Sequence, residues 1–381
     1  MVIAFWLLIG GCVYGYVGYP CLLFLLSRFW GHSRHSCGYE DNTWPLVSIL
    51  VAAHNEEDRI RQKIESLLCQ NYPLGLYDIW LLDDGSTDRT FEIAESFKDA
   101  RLHVVSLVRG GKATALNTGV SFSRGDILIF SDADTIWQSS TLQSIVRPFS
   151  SAETGAVAGN LVPWKHTEYL GFGDKIYRHY ESAIRRWETT LYSAVSADGG
   201  LVALRRELWQ ELPQDVTDDF YISTSAVCHS KDIVFEEDAV AFDCGVEKAT
   251  SQLKKRVRIT VRGMTSLWKR RELFNPVEYG LYALFLISHK LIRRCVPCFA
   301  LLLLPVSVAL YDAGIMYRFF LVAQCLFYAL ACTGLALPLK SMPKPIKVIG
   351  YVLLSSYGVL IGILQFLLGK RYTYWSPEQN R

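Results

Sequence analysis

Four stretches of this chain carry no Asp, Glu, Lys or Arg: residues 1–27, 295–311, 319–339 and 348–369. A helix needs roughly 20 apolar residues to cross a bilayer. The first, third and fourth stretches meet that length, and the second reaches it from Leu291 if its arginines snorkel. Transmembrane helices are therefore predicted at 1–27, 292–311, 317–339 and 347–369. They leave one long polar segment, 44–275, and a short one, 276–291, that is too short and too charged at its end to span and fits an interfacial helix. The first stretch could also be a cleaved signal peptide. It has no basic start, however, and Tyr14, Tyr16 and Tyr19 crowd its far half, so an uncleaved anchor is expected.

Basic residues set the expected orientation. Arg28 and Arg34 follow the first span, Arg293 and Arg294 precede the second, and Lys340, Lys344 and Lys347 lie between the third and fourth. With four spans all of these share one side, which puts the long segment in the cytoplasm of a multi-pass cell-membrane protein. Lys370 and Arg371 then fall on the opposite side, so either the tail is an exception or one span is re-entrant. A formal net charge of +2, without a rich Lys/Arg run, gives no reason to expect a nucleic-acid partner. Of ten cysteines only Cys295 and Cys298 form a CxxC, with no second pair or His to complete a zinc site, so free thiols are expected.

Between 44 and 275, short apolar runs alternate with amphipathic stretches, the pattern of an α/β domain on a mostly parallel sheet. Strands are predicted at 46–53, 79–82, 103–107 and 126–130, and helices after Asn55, around Phe91 and over 113–120. Asn55 is expected to cap the first helix, with Glu56, Glu57 and Asp58 in its first turn. Open α/β sheets bind ligands beyond the carboxyl ends of their strands. By that rule His54-Asn55-Glu56, Asp83-Asp84 and Asp132-Ala133-Asp134 converge on one edge.

Each motif has two explanations. Asp132 and Asp134, one residue apart, can jointly face a hard cation that bridges to phosphate oxygens, or form an acidic turn capping a helix. Asp83 and Asp84 can accept from a nucleobase N–H or make an Asx-turn before Gly85; Ser86 and Thr87 are expected as helix caps in either case. Glu56 can bind ribose hydroxyls or simply sit in a first turn. Lys112, opening a helix after two glycines, suits phosphate or plain solvent. Thr217-Asp218-Asp219 can be an N-cap with an acidic first turn. Arg256, Arg258 and Arg262, just before the membrane, can meet lipid headgroups or a leaving diphosphate.

In order, these residues resemble glycosyltransferase family 2, the inverting enzymes of GT-A fold, and within it the membrane polysaccharide synthases related to poly-N-acetylglucosamine, hyaluronan and cellulose synthases. The family's strand–x–N–E opening stands as Ala53-His54-Asn55-Glu56, its D-D-G-S-x-D as Asp83 to Asp88, its G-K-x-x-A-L-N as Gly111 to Asn117, and its D-x-D as Asp132 and Asp134. The likeness extends to the tail Tyr374-Trp375-Ser376-Pro377. It implies a nucleoside held by Glu56 and Asp83 or Asp84, with Lys112 and Asp132 nearby. It also implies Mg2+ or Mn2+ on Asp134 and Asp132, and Asp219 of Thr217-Asp218-Asp219 as general base. Ala197-Asp198-Gly199-Gly200 would be the acceptor strand, and Asp218, Arg256, Arg258 and Arg262 would lie in the diphosphate and acceptor region. The implied reaction moves a sugar from a nucleotide donor, UDP-linked, to a growing or lipid-linked glycan, with inversion.

Processive members carry Q-x-x-R-W or Q-R-x-R-W where this chain has Lys255-Arg256-Val257-Arg258-Ile259. Ile259 cannot supply the aromatic acceptor surface of that Trp, so addition of one or a few sugars is as well supported as polymerisation. The alternatives are a polyprenyl-phosphate sugar transferase, which shares the nucleotide half, and a catalytically silent membrane scaffold.

Overall fold

The computed structural model describes residues 1–31, 39, 43–164, 171–243, 249–336 and 344–373; Arg34, Lys340 and the 374–377 tail motif lie outside them. The first span is α1 (Val2–Val13) and α2 (Tyr19–Trp30), joined by a π-helical turn at Tyr14–Gly18. The sheet then builds through β1 (Val47–Ala53), α3 (Ile60–Leu68), β2 (Tyr77–Asp84), α4 (Thr90–Glu95), β3 (Leu102–Leu107), α5 (Lys112–Phe122) and β4 (Ile127–Asp132). After it come β5 (Thr135–Trp137), α6 (Thr141–Val146), β6 (Thr154–Pro163), α7 (Gly171–Leu191), β7 (Leu201–Arg205), α8 (Asp218–Cys228), β8 (Asp232–Asp243) and α9 (Ala249–Lys269). The strand order is β3-β2-β1-β4-β7-β6-β8-β5. The first four strands pair in parallel, β7 runs antiparallel to β4 and β6, β6 and β8 are parallel, and β5 closes antiparallel on β8.

Every residue of β1 is buried, as a central parallel strand covered on both faces requires. Its alternate side chains enter two cores. Ile49, Val51 and Ala53 pack with Ile60, Ile64 and Leu67 of α3. Leu50 and Ala52 pack with Ala115, Leu116 and Val120 of α5.

Two local expectations change. Strands predicted to stop at Leu82 and Phe130 continue through the acidic residues, because Asp83 pairs in register with Ala53 and Asp132 with Ala52. The carboxylates therefore sit on the ladder's last rungs instead of in free turns. Asn55 does not cap α3, which starts at Ile60. It takes a left-handed φ of 55°, and its Oδ1 accepts from the N–H of Thr87 at 2.8 Å. Ser86 likewise caps no helix and accepts from the N–H of Asn55, while Asp88 accepts from the N–H of Thr90 at 2.9 Å. Loop-to-loop bonds thus lock the 54–58 and 85–90 segments together.

The domain core runs on into the membrane helices. Where the sequence separates an interfacial helix from a span, α10 (Pro276–Leu286) passes through a π-helical turn into α11 (Arg293–Ala309), and the 34-residue run Pro276–Ala309 is long and apolar enough to cross. A break at Gly280 (φ 52°) lets α10 bend into the domain. There Tyr282, fully buried, donates to the carbonyl of Val195 at 2.7 Å. Val2–Trp30 and Ile315–Thr333, the latter within α12 (Ile315–Ala336), are the other two runs of spanning length.

The fourth predicted span, 347–369, coincides with the 24-residue helix α13 (Lys344–Leu367). This helix packs on α9, with Gly358 against Arg256 and Gly362 against Thr260. The chain then returns to the sheet: the Thr373 carbonyl lies 3.5 Å from where a Cβ on Gly111 would stand. Lys370 and Arg371 therefore come back toward the polar domain.

Candidate active site

The carboxyl ends of β1, β2 and β4 place three acidic groups on one edge, and the structure assigns them unlike tasks. Asp84 is buried, and its carboxylate accepts from the N–H groups of Gly110 (2.7 Å) and Gly111 (3.0 Å). Arg109 stands 3.8 Å away. Asp84 thus anchors the loop before α5. Asp83 is equally buried, but only its Oδ2 is engaged, accepting from Ser86 N–H at 3.3 Å. Its Oδ1 has no hydrogen-bond partner among the described residues, and such orphaned buried acceptors are rare. Glu56 lies buried alongside, its own N–H donating to Thr90 Oγ1 at 2.7 Å.

The loop anchored by Asp84 ends at Gly111, whose φ of 88° and ψ of 161° suit only glycine. This conformation starts α5 so that Lys112 points inward, and Lys112 is not a solvated lysine. Its Nζ stands 2.5 Å from Asp132 Oδ1 and 2.5 Å from Asp218 Oδ2. Burial works against the ammonium, but the two carboxylates hold its pKa far above the usual lysine range. Asp218 is in turn held below the usual carboxylate range by Lys112 and Arg262, against the opposing push of burial.

Asp134 has no such lysine. Burial, then Asp132 and Asp243, push its carboxyl up to about 6, with Lys255 and Arg59 pulling the other way. Arg59 approaches to 3.8 Å. Asp219, next to Asp218 in the first turn of α8, faces away from Lys112. Its Oδ2 lies 3.7 Å from where a Cβ on Gly199 would stand. Burial, Asp218 and Asp198 push its carboxyl up to about 6, opposed by Lys290.

The three arginines expected near the diphosphate separate. Arg262 donates to the carbonyl of Val216 through Nε at 2.8 Å and through a second guanidinium nitrogen, so it positions the loop that carries Asp218. Arg258 is buried and pushed down to about 10 by burial and by Arg262, with Asp218 and Asp132 pulling back. It therefore faces the donor edge. Arg256 packs beneath α13 instead.

Two features escape motif reading. Lys63 of α3 is completely buried, and its Nζ donates to Ser131 Oγ (2.6 Å) and Thr135 Oγ1 (3.0 Å), the residues flanking the Asp132-Ala133-Asp134 triplet. Burial pulls it down to about 7 despite Asp132 and Asp134. Its signal was a lysine on the apolar face formed by Ile60, Ile64 and Leu67. The second is an ionic cluster joining α7 to the spans. His289 bridges Glu188 (2.8 Å) and Glu181 (3.1 Å), Tyr19 donates to Glu188 at 2.7 Å, Arg293 pairs with Glu181, and Arg185 pairs with Asp198 at 2.7 Å. No spacing announces it, because its members come from three distant segments.

The family model for glycosyl transferase family 2 matches residues 48–212. The beta-monoglucosyldiacylglycerol synthase of Nostoc sp. is 38% identical over 137 residues, which are 35% of this chain and 29% of that protein. The matched region thus spans under a third of that relative's length. An N-acetylglucosaminyltransferase of Rhizobium leguminosarum bv. trifolii is 32% identical over 129 residues, 32% of this chain and 70% of that protein. Among solved structures, mannosyltransferase PcManGT from Pyrobaculum calidifontis in complex with GDP-Man and Mn2+ has a TM-score of 0.72 at 21% identity, covering 96% of this chain and 99% of that one. The motifs, the sheet and these likenesses agree: the chain belongs to glycosyltransferase family 2 and has the GT-A fold.

Proposed function

We propose that this chain is a membrane-bound inverting glycosyltransferase that moves a sugar from a nucleotide donor, UDP-linked, to a hydroxyl of a growing or lipid-linked glycan for a cell-surface polysaccharide or glycolipid. The observation that carries the reading is the Lys112 bridge. It brings the Asp132 strand and the Asp218–Asp219 helix to one point, so a donor held at the first lies beside a base on the second.

Asp83 Oδ1 is the acceptor for a nucleobase N–H, and Glu56 is the neighbour for ribose. Asp132 and Asp134 fit a divalent cation, since burial, with Asp132 and Asp243 close by, pushes the Asp134 carboxyl up to about 6, and a bound cation would offset both effects. Among the described residues no three potential protein ligands cluster there, so donor phosphates and water would complete an Mg2+ or Mn2+ shell, as such ions prefer. Bound there, the ion would neutralise charge on the diphosphate.

In the transfer, Asp219 accepts the proton of the acceptor hydroxyl as its oxygen bonds to the anomeric carbon. The bond from that carbon to the diphosphate oxygen breaks, and the nucleoside diphosphate leaves with the electron pair. Arg258, facing Asp132, stabilises the departing charge. Attack opposite the leaving group inverts the anomeric centre. With three spans, the domain, Lys344, Lys347, Lys370 and Arg371 share one side, which the positive-inside rule makes cytoplasmic.

The test is incubation of the purified chain in membranes with a panel of radiolabelled nucleotide-sugars, followed by product sizing. One donor should be used, and Asp134→Asn and Asp219→Asn should abolish incorporation. Incorporation at the unmodified rate in either variant would sink the assignment.

A further inference from the structure

Asp218 and Asp219 are neighbours that serve opposite sides. Asp218 is tied to Lys112 on the donor side, whereas Asp219 turns to Gly199, Asp198 and the middle of the Pro276–Ala309 run. From that span come Lys290 and Arg294, both half-buried. Arg294 lays its guanidinium over Gly263 of α9, where any Cβ would collide with it. Both cations act on this acidic pair: Lys290 on Asp219 and Asp198, and Arg294 on Asp219, with Arg256 adding like charge beside it.

The surrounding cations are matched. Arg185 pairs with Asp198, Arg293 with Glu181, and Arg178 with Asp243 at 2.5 Å. Among the described residues, no carboxylate lies within ion-pair distance of Lys290 or Arg294. Lys290 faces Glu181 and Asp198 as well as Asp219, and Arg294 faces Asp219. Glu181 and Asp198 are already paired, so two partly desolvated cations share one carboxylate that has no ion pair among the described residues, Asp219. Such an excess is costly unless an anion offsets it. The donor diphosphate has its own cations across the Lys112 bridge. This second set is carried by the Pro276–Ala309 run, which is long and apolar enough to cross a membrane, so a lipid-borne group is the kind of anion that would meet it.

Resting on the acceptor-side reading above, we propose that Lys290 and Arg294 bind a phosphate carried by the lipid-linked acceptor and so hold its hydroxyl against Asp219. No bond is made or broken at the phosphate. The acceptor class is then a phosphate-bearing lipid, not a neutral glycolipid.

The test uses the full chain in phosphatidylcholine micelles containing equal amounts of a polyprenyl phosphate, the matching polyprenol and phosphatidylglycerol, with retained lipid read by native mass spectrometry. The polyprenyl phosphate should be retained about tenfold over the polyprenol, and Lys290→Gln and Arg294→Gln together should remove that preference. Binding of UDP or GDP with Mn2+, whichever the unmodified chain takes, and the unfolding temperature should stay unchanged. Equal retention of the polyprenol, an undiminished preference in the double variant, or loss of nucleotide binding with it overturns the proposal. So does equal retention of phosphatidylglycerol, which would mean a general headgroup contact, or displacement of the lipid by millimolar inorganic phosphate. No turnover is needed, so a failure of the Asp219 assignment would appear separately in the transfer assay.

Discussion

Lys112 Nζ lies 2.5 Å from both Asp132 Oδ1 and Asp218 Oδ2, so the loop before α5, the end of β4 and the start of α8 meet on one ammonium group. Removing that charge leaves two carboxylates facing each other. Lys112→Met is expected to destabilise the domain by about 2–4 kcal/mol and to lower kcat/KM by at least about 100-fold. Adding Asp218→Asn should recover part of the stability but not the activity. Thermal unfolding and transfer rates on the two variants check this; independent, additive effects would mean that the bridge does not couple the segments.

Asp219 supplies a pH signature. Its carboxyl stands at about 6 in the fold, above the ordinary value of about 4. The raised value favours the protonated form in the folded state. Its contribution to stability is therefore present at low pH and is lost as pH rises through about 6. A base must be ionised, so transfer runs the other way and falls as pH drops below about 6. Asp134 also stands at about 6. Rate profiles at rising Mn2+ separate them, because metal binding shifts the Asp134 limb to lower pH and leaves the Asp219 limb in place. A limb that disappears altogether at saturating metal would remove Asp219 from the role of base.

Adjacent aspartates should respond oppositely to the same change. Asp84→Asn weakens the acceptor of the Gly110 and Gly111 N–H groups, and unfolding should become easier by about 1–3 kcal/mol. Asp83→Asn keeps an oxygen for Ser86, so the unfolding transition should hold while nucleotide affinity drops about tenfold. Calorimetry with the nucleotide and a melting curve on each variant suffice. The same outcome for both would mean that their roles are not divided.

Lys63→Met tests the buried lysine under the acidic triplet. Ser131 keeps the Gly200 carbonyl and the Trp137 indole N–H, and Thr135 keeps the Asp132 carbonyl. Stability should therefore change by less than about 1.5 kcal/mol, since a volume-matched apolar chain replaces a costly buried charge. Removing the positive charge beside Asp132 and Asp134 should tighten Mn2+ binding and loosen nucleotide positioning, with kcat down about tenfold. Unchanged metal affinity would mean that Lys63 acts only by packing.

The sheet strands were legible because buried β-branched runs such as Val47–Ala53 admit few other conformations. Their ends were less so: period and propensity favour a turn at Asp83-Asp84, while the register with β1 keeps Asp83 in the ladder and that with β3 keeps Asp84. The last helix shows a similar limit at larger scale. Residues 348–369 are apolar enough for a bilayer, but hydropathy does not encode that this helix packs on α9 and that Thr373 comes back to Gly111.

By itself, then, the sequence determined which residue types stand at the strand ends, that much of the chain belongs in a membrane, and which family's motif order it follows. Those properties follow from local chemistry and spacing. Only the tertiary structure decided that Asp84 anchors a loop while Asp83 keeps an open oxygen, that Lys112 joins two carboxylates 86 residues apart, and that the charges of Lys290 and Arg294 act on Asp219 from a distant segment. The physical reason is that a charge's role depends on its partners and its burial. Both are fixed by segments that meet only when the sheet and the membrane helices pack.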